Sequence, residues 1–523
     1  MKELVYSRLF LPAVEHYVTN ECVIDGSYRA TFAEHAARVL KLAGAMRSEL
    51  GIQRGDRFAV LAQNGHQFME LHNAGYLGAG VITPLNIRLS PAEIRRILDD
   101  SGARVLFADP RLGSLVEAVA NYGERPCVRV VLLDGDYEGL VAAGEERVPA
   151  EPDEQDLAAL VYTGGTTGLP RGVMRSQRAE MLYVYHTAMS GGVACQRGST
   201  FLHQAPMFHA AALVSVATAP AFGVRSVVLP GFEPAACMDA VETFQVTETV
   251  LVPTMMQMLI DHVDFSPQRL ASLRRIGYGA MPMTSVLLDR LHELLPGAEL
   301  AQGFGMTEAG ALTMLQTEDH GRPELLRSVG RAIPGVALSI RDETGRQLGS
   351  NEIGEVCAQG GNLLDGYWND EEATRIAFRG GWYHTGDVGY LDEEGYLFLV
   401  DRLKDMIVTG GENVYSVEVE SVLARYPGVA QVAVIGLPHE KWGEMVHAVV
   451  VPKPGERLDP EEVIAYAREH LAGFKVPKSV DVRTEPLPMS AAMKPLKREL
   501  RREYAVASGS QPPEKFGEDP LWH

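Results

Sequence analysis

The sequence predicts an α/β protein, with a large N-terminal domain of layered sheets and helices and a smaller α+β C-terminal domain. Three observations lead there. At 523 residues the chain is too long for one hydrophobic core, so two or more domains are expected. Up to about residue 400, short apolar runs alternate with segments at helical spacing, which implies layered and largely parallel sheets. Beyond that point the composition turns to Gly, Tyr and Asp, and a compact α+β pattern follows.

Taken in chain order, the first clear element is "TFAEHAARVLKLAGAMRSELG", where Thr31 and Glu34 have capping-box spacing ahead of a helical apolar pattern. "DRFAVLAQN" and "GAGVITPLN" read as strands beside helical segments, and "ARVLFAD" and "VRVVLLD" continue the alternation. Leu157 to Tyr162 reads as a buried strand, followed by a glycine-rich loop and a helix from about Ser176. From Gly198 to Val224 there is no Asp, Glu, Lys or Arg, but His203, Gln204, Pro206, His209 and Pro220 interrupt the run. A buried helix is expected there, because a membrane span needs roughly 20 apolar residues. "GWYHTGDVGYLDEEGYLFLVDRLKD" reads as short strands and turns, and the domain boundary is placed at 401–404. The second domain, 405–523, is expected to carry a helix near 416–424, strands at "VAQVAVIG" and "VHAVVVP", and a helix opening at Asp459 and Pro460. The final "ASGSQPPEKFGEDPLWH" reads as a loosely held tail.

Composition narrows the function. With 46% hydrophobic and 22% charged residues the chain is an ordinary globular protein. Its 48 basic and 68 acidic residues give a net charge of -20, which argues against nucleic-acid binding. Five scattered cysteines suggest neither a disulfide framework nor a zinc site and fit a reducing, cytoplasmic setting. Glu3 and the absence of a clean apolar core argue against a signal peptide.

The stretch "LVYTGGTTGLPRGV", residues 160–173, carries the first chemical signal. Gly164, Gly165 and Gly168 let backbone N–H groups turn inward around an anion without Cβ obstruction. Thr163, Thr166 and Thr167 add donors, Arg171 adds charge, and the dipole of the helix expected next would help. The stretch therefore reads as a phosphate cradle, with a mobile surface loop as the alternative. It is not a Walker A loop, no G-x-S-x-G elbow occurs, and "GYGAMP" and "GFGMTE" do not match the dinucleotide fingerprint.

This stretch resembles the phosphate-loop motif of the adenylate-forming (ANL) superfamily, which includes acyl-CoA synthetases, aryl-CoA ligases, luciferases and nonribosomal adenylation domains. Four more motifs follow in that superfamily's order: "QGFGMTE" at 302–308, "GWYHTGDVGYLDEEGYL" at 381–397, "DRLKDMIVTGGENVYSVEVE" at 401–420 and "LPMSAAMKPLKREL" at 487–500. The resemblance implies that Phe304 stacks on adenine, that Gly279, Ala280, Gly303, Gly305 and Met306 also belong to the cofactor site, and that "PMFHAAA", "GYGAMP" and "GFGM" wall the acid pocket. It implies that Thr307 holds the α-phosphate and that Glu308, with Thr167, binds Mg²⁺. Asp387 and Arg402 would hold the ribose, and Lys404 would be the hinge of a mobile C-terminal lid. Gly410, Gly411 and Glu412 would line the path of the CoA pantetheine arm. Lys494 would bring an ammonium to the reacting carboxylate and α-phosphate, and His209 would gate the acid tunnel. Four positions depart from the usual pattern: Gly164 for Ser, Arg171 for Lys, Phe304 for Tyr and Met493 for Gly, with Lys497 as the alternative lysine.

The implied activity is that of an ATP-dependent acid–CoA ligase, making an acyl-AMP with pyrophosphate release and then an acyl-CoA. ATP, Mg²⁺ and CoA are the expected cofactors. The alternative is an adenylating enzyme that loads a carrier protein. Small residues in "PMFHAAA" and "GYGAMP", with no evident cation nearby, point to an apolar monocarboxylic acid that is fatty, aryl or alicyclic. No nucleic acid and no integral membrane segment is expected, and homodimerisation is compatible with the sequence.

Overall fold

The computed structural model describes residues 3–121, 128–163, 170–280, 283, 285–402, 405–409, 412–439, 441–489 and 495–507. The chain divides into two compact units. The larger combines Met1–Ala337 with Gln359–Tyr383, and the smaller combines Leu338–Ala358 with His384–His523.

Two mixed sheets form the frame of the larger unit among the described residues. One has nine strands, in the order Arg331–Ala332, Gly310–Leu315, Glu299–Met306, Arg275–Gly279, Glu248–Val250, Thr200–His203, Arg225–Val228, Glu21–Asp25 and Tyr28–Thr31. Its middle strands run parallel. The other has seven strands, in the order Gly366–Tyr367, Arg171–Ser176, Leu157–Thr163, Val81–Pro84, Arg57–Leu61, Val105–Ala108 and Arg129–Leu132. The parallel strands read as near-continuous apolar runs because helices cover both faces of such a sheet. Under the nine-stranded sheet, Leu202, Val227, Ile276 and Leu300 pack with Val241, Met256 and Leu288 from its helices. Ala59, Leu61, Leu106 and Ala108 do the same with Ile94, Ile97 and Leu98 beside the seven-stranded sheet.

Helix starts follow the local signals. Thr31 accepts a bond from the backbone N–H of Glu34 and completes the expected capping box before Phe32–Ser48. Ser90 and Glu93 form a second box before Pro91–Ser101. One expectation needs correction. The glycine-rich loop does not open onto a helix: Leu157–Thr163 and Arg171–Ser176 pair antiparallel, with Thr163 opposite Arg171, and the helix Gln177–Met189 begins only after the return strand. The charge-free segment also takes in a strand: Thr200–His203 precedes the expected buried helix, which spans Ala210–Ala221. Parallel neighbours on both sides capture the apolar run "TFLH" as a central strand. Among the described residues, no helix is long and apolar enough to cross a membrane.

The smaller unit holds a four-stranded sheet, in the order Val336–Arg341, Gly354–Gly360, Tyr383–Leu391 and Leu397–Arg402. It also holds a five-stranded sheet built on the long antiparallel pair Val429–His439 and Gly443–Pro452. Alternate residues of that pair serve two cores. Val434, Val446 and Ala448 pack with Val419, Leu423 and Val463, while Ala433, Ile435, Val449 and Val451 pack with Leu487 and Leu500. Covering both faces explains why "VAQVAVIG" is apolar at consecutive positions. The expected helices appear as Ser416–Leu423 and Pro460–His470, the latter capped by Asp459.

Candidate functional site

On the larger unit, parallel strands present their carboxyl ends along one edge, which is where open α/β sheets place ligands. Several sequence candidates lie at or just after the ends of these strands: His209, Gly279, Ala280, Thr307 and Glu308. His209 follows Thr200–His203 and occupies the cap position of Ala210–Ala221, its ring 4.7 Å from that of Phe208. Ala210 is half-buried, Ala211 exposed and Ala212 buried, so small side chains open the first turn of this helix. Gly279 ends Arg275–Gly279 opposite Gly303, and a Cβ on Gly279 would lie 2.3 Å from the Gly303 carbonyl oxygen. Ala280 follows at φ +65°, a left-handed conformation unusual for a residue with a Cβ.

Next along the sheet is the hairpin of Glu299–Met306 and Gly310–Leu315. Phe304 sits in it opposite Thr313, half-buried, with Gly303 and Gly305 on either side. A Cβ on Gly303 would meet nothing within 4 Å, whereas one on Gly305 would lie 1.9 Å from the Gly310 carbonyl oxygen. The hairpin turn carries Thr307 and Glu308, just beyond Met306. The Glu308 carbonyl accepts a bond from the Leu364 N–H at 2.6 Å, and its Oε1 accepts one from the Tyr367 hydroxyl at 3.3 Å. The Arg171 guanidinium lies 5.6 Å from the Tyr367 ring centre and 3.7 Å from Asp370. The structure thus brings Arg171 and Glu308 to one tyrosine, with Thr163 paired opposite Arg171. Gly164, Gly165, Thr166, Thr167 and Gly168 lie outside the described residues, as do Lys404, Gly410, Gly411 and Lys494.

On the smaller unit, the antiparallel register sets Asp387 opposite Arg402, although 15 positions separate them in sequence. Asp387 is buried; its N–H donates to the Thr385 hydroxyl at 3.1 Å, which in turn donates to the Val356 carbonyl at 2.7 Å. Beside them, His384 Nδ1 lies 2.7 Å from Glu355 Oε2 and 3.4 Å from Cys357 Sγ. The carboxylate of Asp401 accepts bonds from the N–H and the hydroxyl of Ser416, tying Leu397–Arg402 to the next helix. Lys497, the alternative lysine, is committed internally: its ammonium lies 2.6 Å from Ser416 Oγ and 2.7 Å from Glu420 Oε1. Burial pushes the Glu420 carboxyl up, and the Lys497 charge opposes that shift. Glu412 is exposed and lies opposite Thr409.

One group on this unit lies outside every motif singled out in the sequence. Trp442 stacks on His439 at 4.3 Å, with the ammonium groups of Lys478 and Lys441 at 5.6 and 6.0 Å from its ring. Lys478 also donates to the Gly473 carbonyl at 3.2 Å, and the adjacent Phe474 is 39% exposed with Lys475 at 5.6 Å from its ring. The result is an aromatic and cationic patch on a protein whose overall charge is strongly negative.

Comparison with known proteins decides the family. The model of the AMP-binding enzyme matches residues 11–368, and the model of its C-terminal domain matches residues 418–494. The chain belongs to the AMP-binding enzyme family. It is 38% identical to a feruloyl-CoA synthase of an Amycolatopsis species, covering 92% of this chain and 95% of that one. It is 37% identical to a long-chain-fatty-acid–CoA ligase of Thermus thermophilus, covering 91% and 90%. A fatty acid–[acyl-carrier-protein] ligase of Streptomyces coeruleorubidus is 31% identical, with 94% of each chain covered. Among solved structures, o-succinylbenzoate coenzyme A synthetase of Bacillus subtilis, in complex with ATP and a magnesium ion, superposes with a TM-score of 0.84. That match has 28% identity and covers 94% of this chain and 99% of the other. ATP-dependent acid–CoA ligation through an acyl-adenylate is the chemistry of this AMP-binding enzyme.

The residues present fit the family's nucleotide. Phe304 is half-buried, which leaves part of its ring accessible to a flat base, and the Glu308 carboxylate supplies the hard oxygen that Mg²⁺ favours. Sequence reading missed Tyr367 and Trp442. An aromatic residue after glycine in "LDGYWND", and a lone Trp among charges in "HEKWGE", are the only local signals either leaves.

Proposed function

We propose that this enzyme activates an apolar monocarboxylic acid, fatty, aryl or alicyclic, and transfers the acyl group to free CoA. The Trp442 patch is the observation that carries the choice of acceptor. CoA differs from a carrier-bound pantetheine by its adenine and phosphates, and a ring stacked on His439 and flanked by Lys441 and Lys478 suits that part of the molecule. The small residues Ala210 and Ala211 beside His209 support a roomy apolar acid pocket.

In the first half-reaction the acid's carboxylate oxygen attacks the α-phosphorus of ATP. A C–O–P linkage forms, the bond to the β-phosphate oxygen breaks, and pyrophosphate leaves. Both reactants are anionic, so Lys494 and Arg171 would supply the compensating charge. Thr307 would donate to the α-phosphate. Phe304 would stack on the adenine, and Asp387 and Arg402 would hold the ribose. Mg²⁺, held by Glu308 and Thr167, would neutralise the departing phosphates. In the second half-reaction the CoA thiolate attacks the acyl carbon and expels AMP. The mixed anhydride is activated enough that no protein nucleophile is needed. The 401–404 segment would be the hinge between the two half-reactions. A reducing, cytoplasmic setting agrees with Cys22, Cys195, Cys237 and Cys357 being free thiols.

The test is a pyrophosphate-release screen over carboxylic acids of increasing apolar size, followed by acyl transfer to CoA and to a phosphopantetheinylated carrier. Release with apolar acids and transfer to CoA is the expected result. Trp442→Ala should raise the KM for CoA about tenfold and leave CoA-independent pyrophosphate release unchanged. Transfer to the carrier alone would overturn the choice of acceptor.

A further inference from the structure

Tyr367 touches two candidates that the sequence places far apart. Its hydroxyl donates to Glu308 Oε1 at 3.3 Å across 59 residues of sequence, and its ring lies beneath the Arg171 guanidinium at 5.6 Å. The tyrosine is itself held at several points. Its N–H donates to the Thr374 hydroxyl at 2.8 Å, and Gly366–Tyr367 pairs with Arg171–Ser176, setting Tyr367 opposite Val173. Just upstream, the Asp365 carboxylate accepts the Ser176 N–H at 2.7 Å, and the buried Asn362 amide donates to the Ala309 and Ala311 carbonyls at 2.7 and 3.1 Å. The Leu364 N–H reaches the Glu308 carbonyl. The 362–367 segment therefore clamps the turn that carries Glu308 to the strand that carries Arg171.

We propose that Tyr367 is a positioning residue for the metal: its hydroxyl fixes the rotamer of the Glu308 carboxylate, and its ring holds Arg171 alongside. The inference rests on the reading of Glu308 as the Mg²⁺ carboxylate. A carboxylate on a flexible side chain loses rotamer freedom when it binds a cation. A hydrogen bond that orients it beforehand removes part of that cost, and loss of such a bond typically weakens metal affinity 10–100-fold. Tyr383 extends the arrangement: its hydroxyl is placed to bond Tyr367 and lies 3.5 Å from the Met306 sulfur.

Tyr367→Phe removes the hydroxyl and keeps the ring over Arg171. Mn²⁺ binding to the full-length protein with a non-hydrolysable ATP analogue, followed by electron paramagnetic resonance, reads the metal site without turnover. Pyrophosphate release titrated with Mg²⁺ reads it during turnover. About tenfold weaker Mn²⁺ binding, a matching rise in the Mg²⁺ requirement, and unchanged KM for the acid and melting temperature are expected for the variant. Mn²⁺ affinity within twofold of wild type in a variant that melts normally would overturn the proposal. Glu308→Gln separates the two readings: if it binds Mn²⁺ with the analogue as well as wild type does, the metal assignment itself fails.

Discussion

Lys494 and Lys497 stand three residues apart in charge-rich sequence. Lys497 is bound into Ser416 and Glu420, so its ammonium offsets a buried carboxylate. Lys494 lies outside the described residues and is the position that the resemblance matches to the superfamily's reactive lysine. Lys494→Ala should therefore slow adenylation by on the order of 10²–10³ while sparing thioester formation from a supplied acyl-adenylate. Comparing pyrophosphate release with single-turnover acyl transfer checks this, and equal losses in both would remove the role. Lys497→Ala, by contrast, should lower the melting temperature, because it removes the ammonium paired with the buried Glu420 carboxylate.

Among the elements, the hairpin of Glu299–Met306 and Gly310–Leu315 is the most constrained. Its register shifts between Phe304 and Gly305, and the Gly305 Cα faces the Gly310 carbonyl so closely that a Cβ cannot fit. Backbone cannot yield as a side chain can. Gly305→Ala should thus open the hairpin, cost about 1–3 kcal/mol of stability, and displace Phe304, Thr307 and Glu308 together. Thermal unfolding and the KM for ATP should both worsen. A variant with normal stability and normal KM would show that the hairpin tolerates the side chain. The pairing of Tyr383–Leu391 with Leu397–Arg402 works in the same way on the smaller unit, where a single register brings Asp387 and Arg402 opposite one another.

At the scale of the molecule, buried histidines give the protein an acid-sensitive stability. Burial pulls His35 and His447 down to about 4, and His72 and His203 down to about 3. Each is neutral in the folded chain at pH 5 and largely protonated in the unfolded chain, whose value is about 6.5. The unfolded state therefore binds more protons, and stability rises with pH through this window. Stability should be fully present above about pH 6.5 and fall steadily as the pH drops toward 4 and then 3. Calorimetry between pH 7 and pH 5, above the range where ordinary carboxylates titrate, should show a falling melting temperature and net proton uptake on unfolding. A flat profile across that range would contradict the burial of these imidazoles.

The sequence by itself determined whatever a few neighbouring residues can specify. The Thr31–Glu34 capping box, the Asp459–Pro460 helix start, the strand runs and the order of the five motifs were all legible, because each is a local backbone preference or a short spacing. The α/β class was legible in the alternation of apolar runs with helical spacing, and the acid–CoA ligase chemistry came from the family resemblance of those motifs. Only the tertiary structure decided that the glycine-rich loop joins two antiparallel strands, since the partner of Leu157–Thr163 is chosen by sheet pairing and not by helix propensity. It alone set Tyr367 against Glu308, Asp387 opposite Arg402, Lys497 on Glu420 and Lys478 beside Trp442. Those contacts join residues brought near by the folding of whole sheets, and separations of that kind leave no period in the sequence from which they could be read.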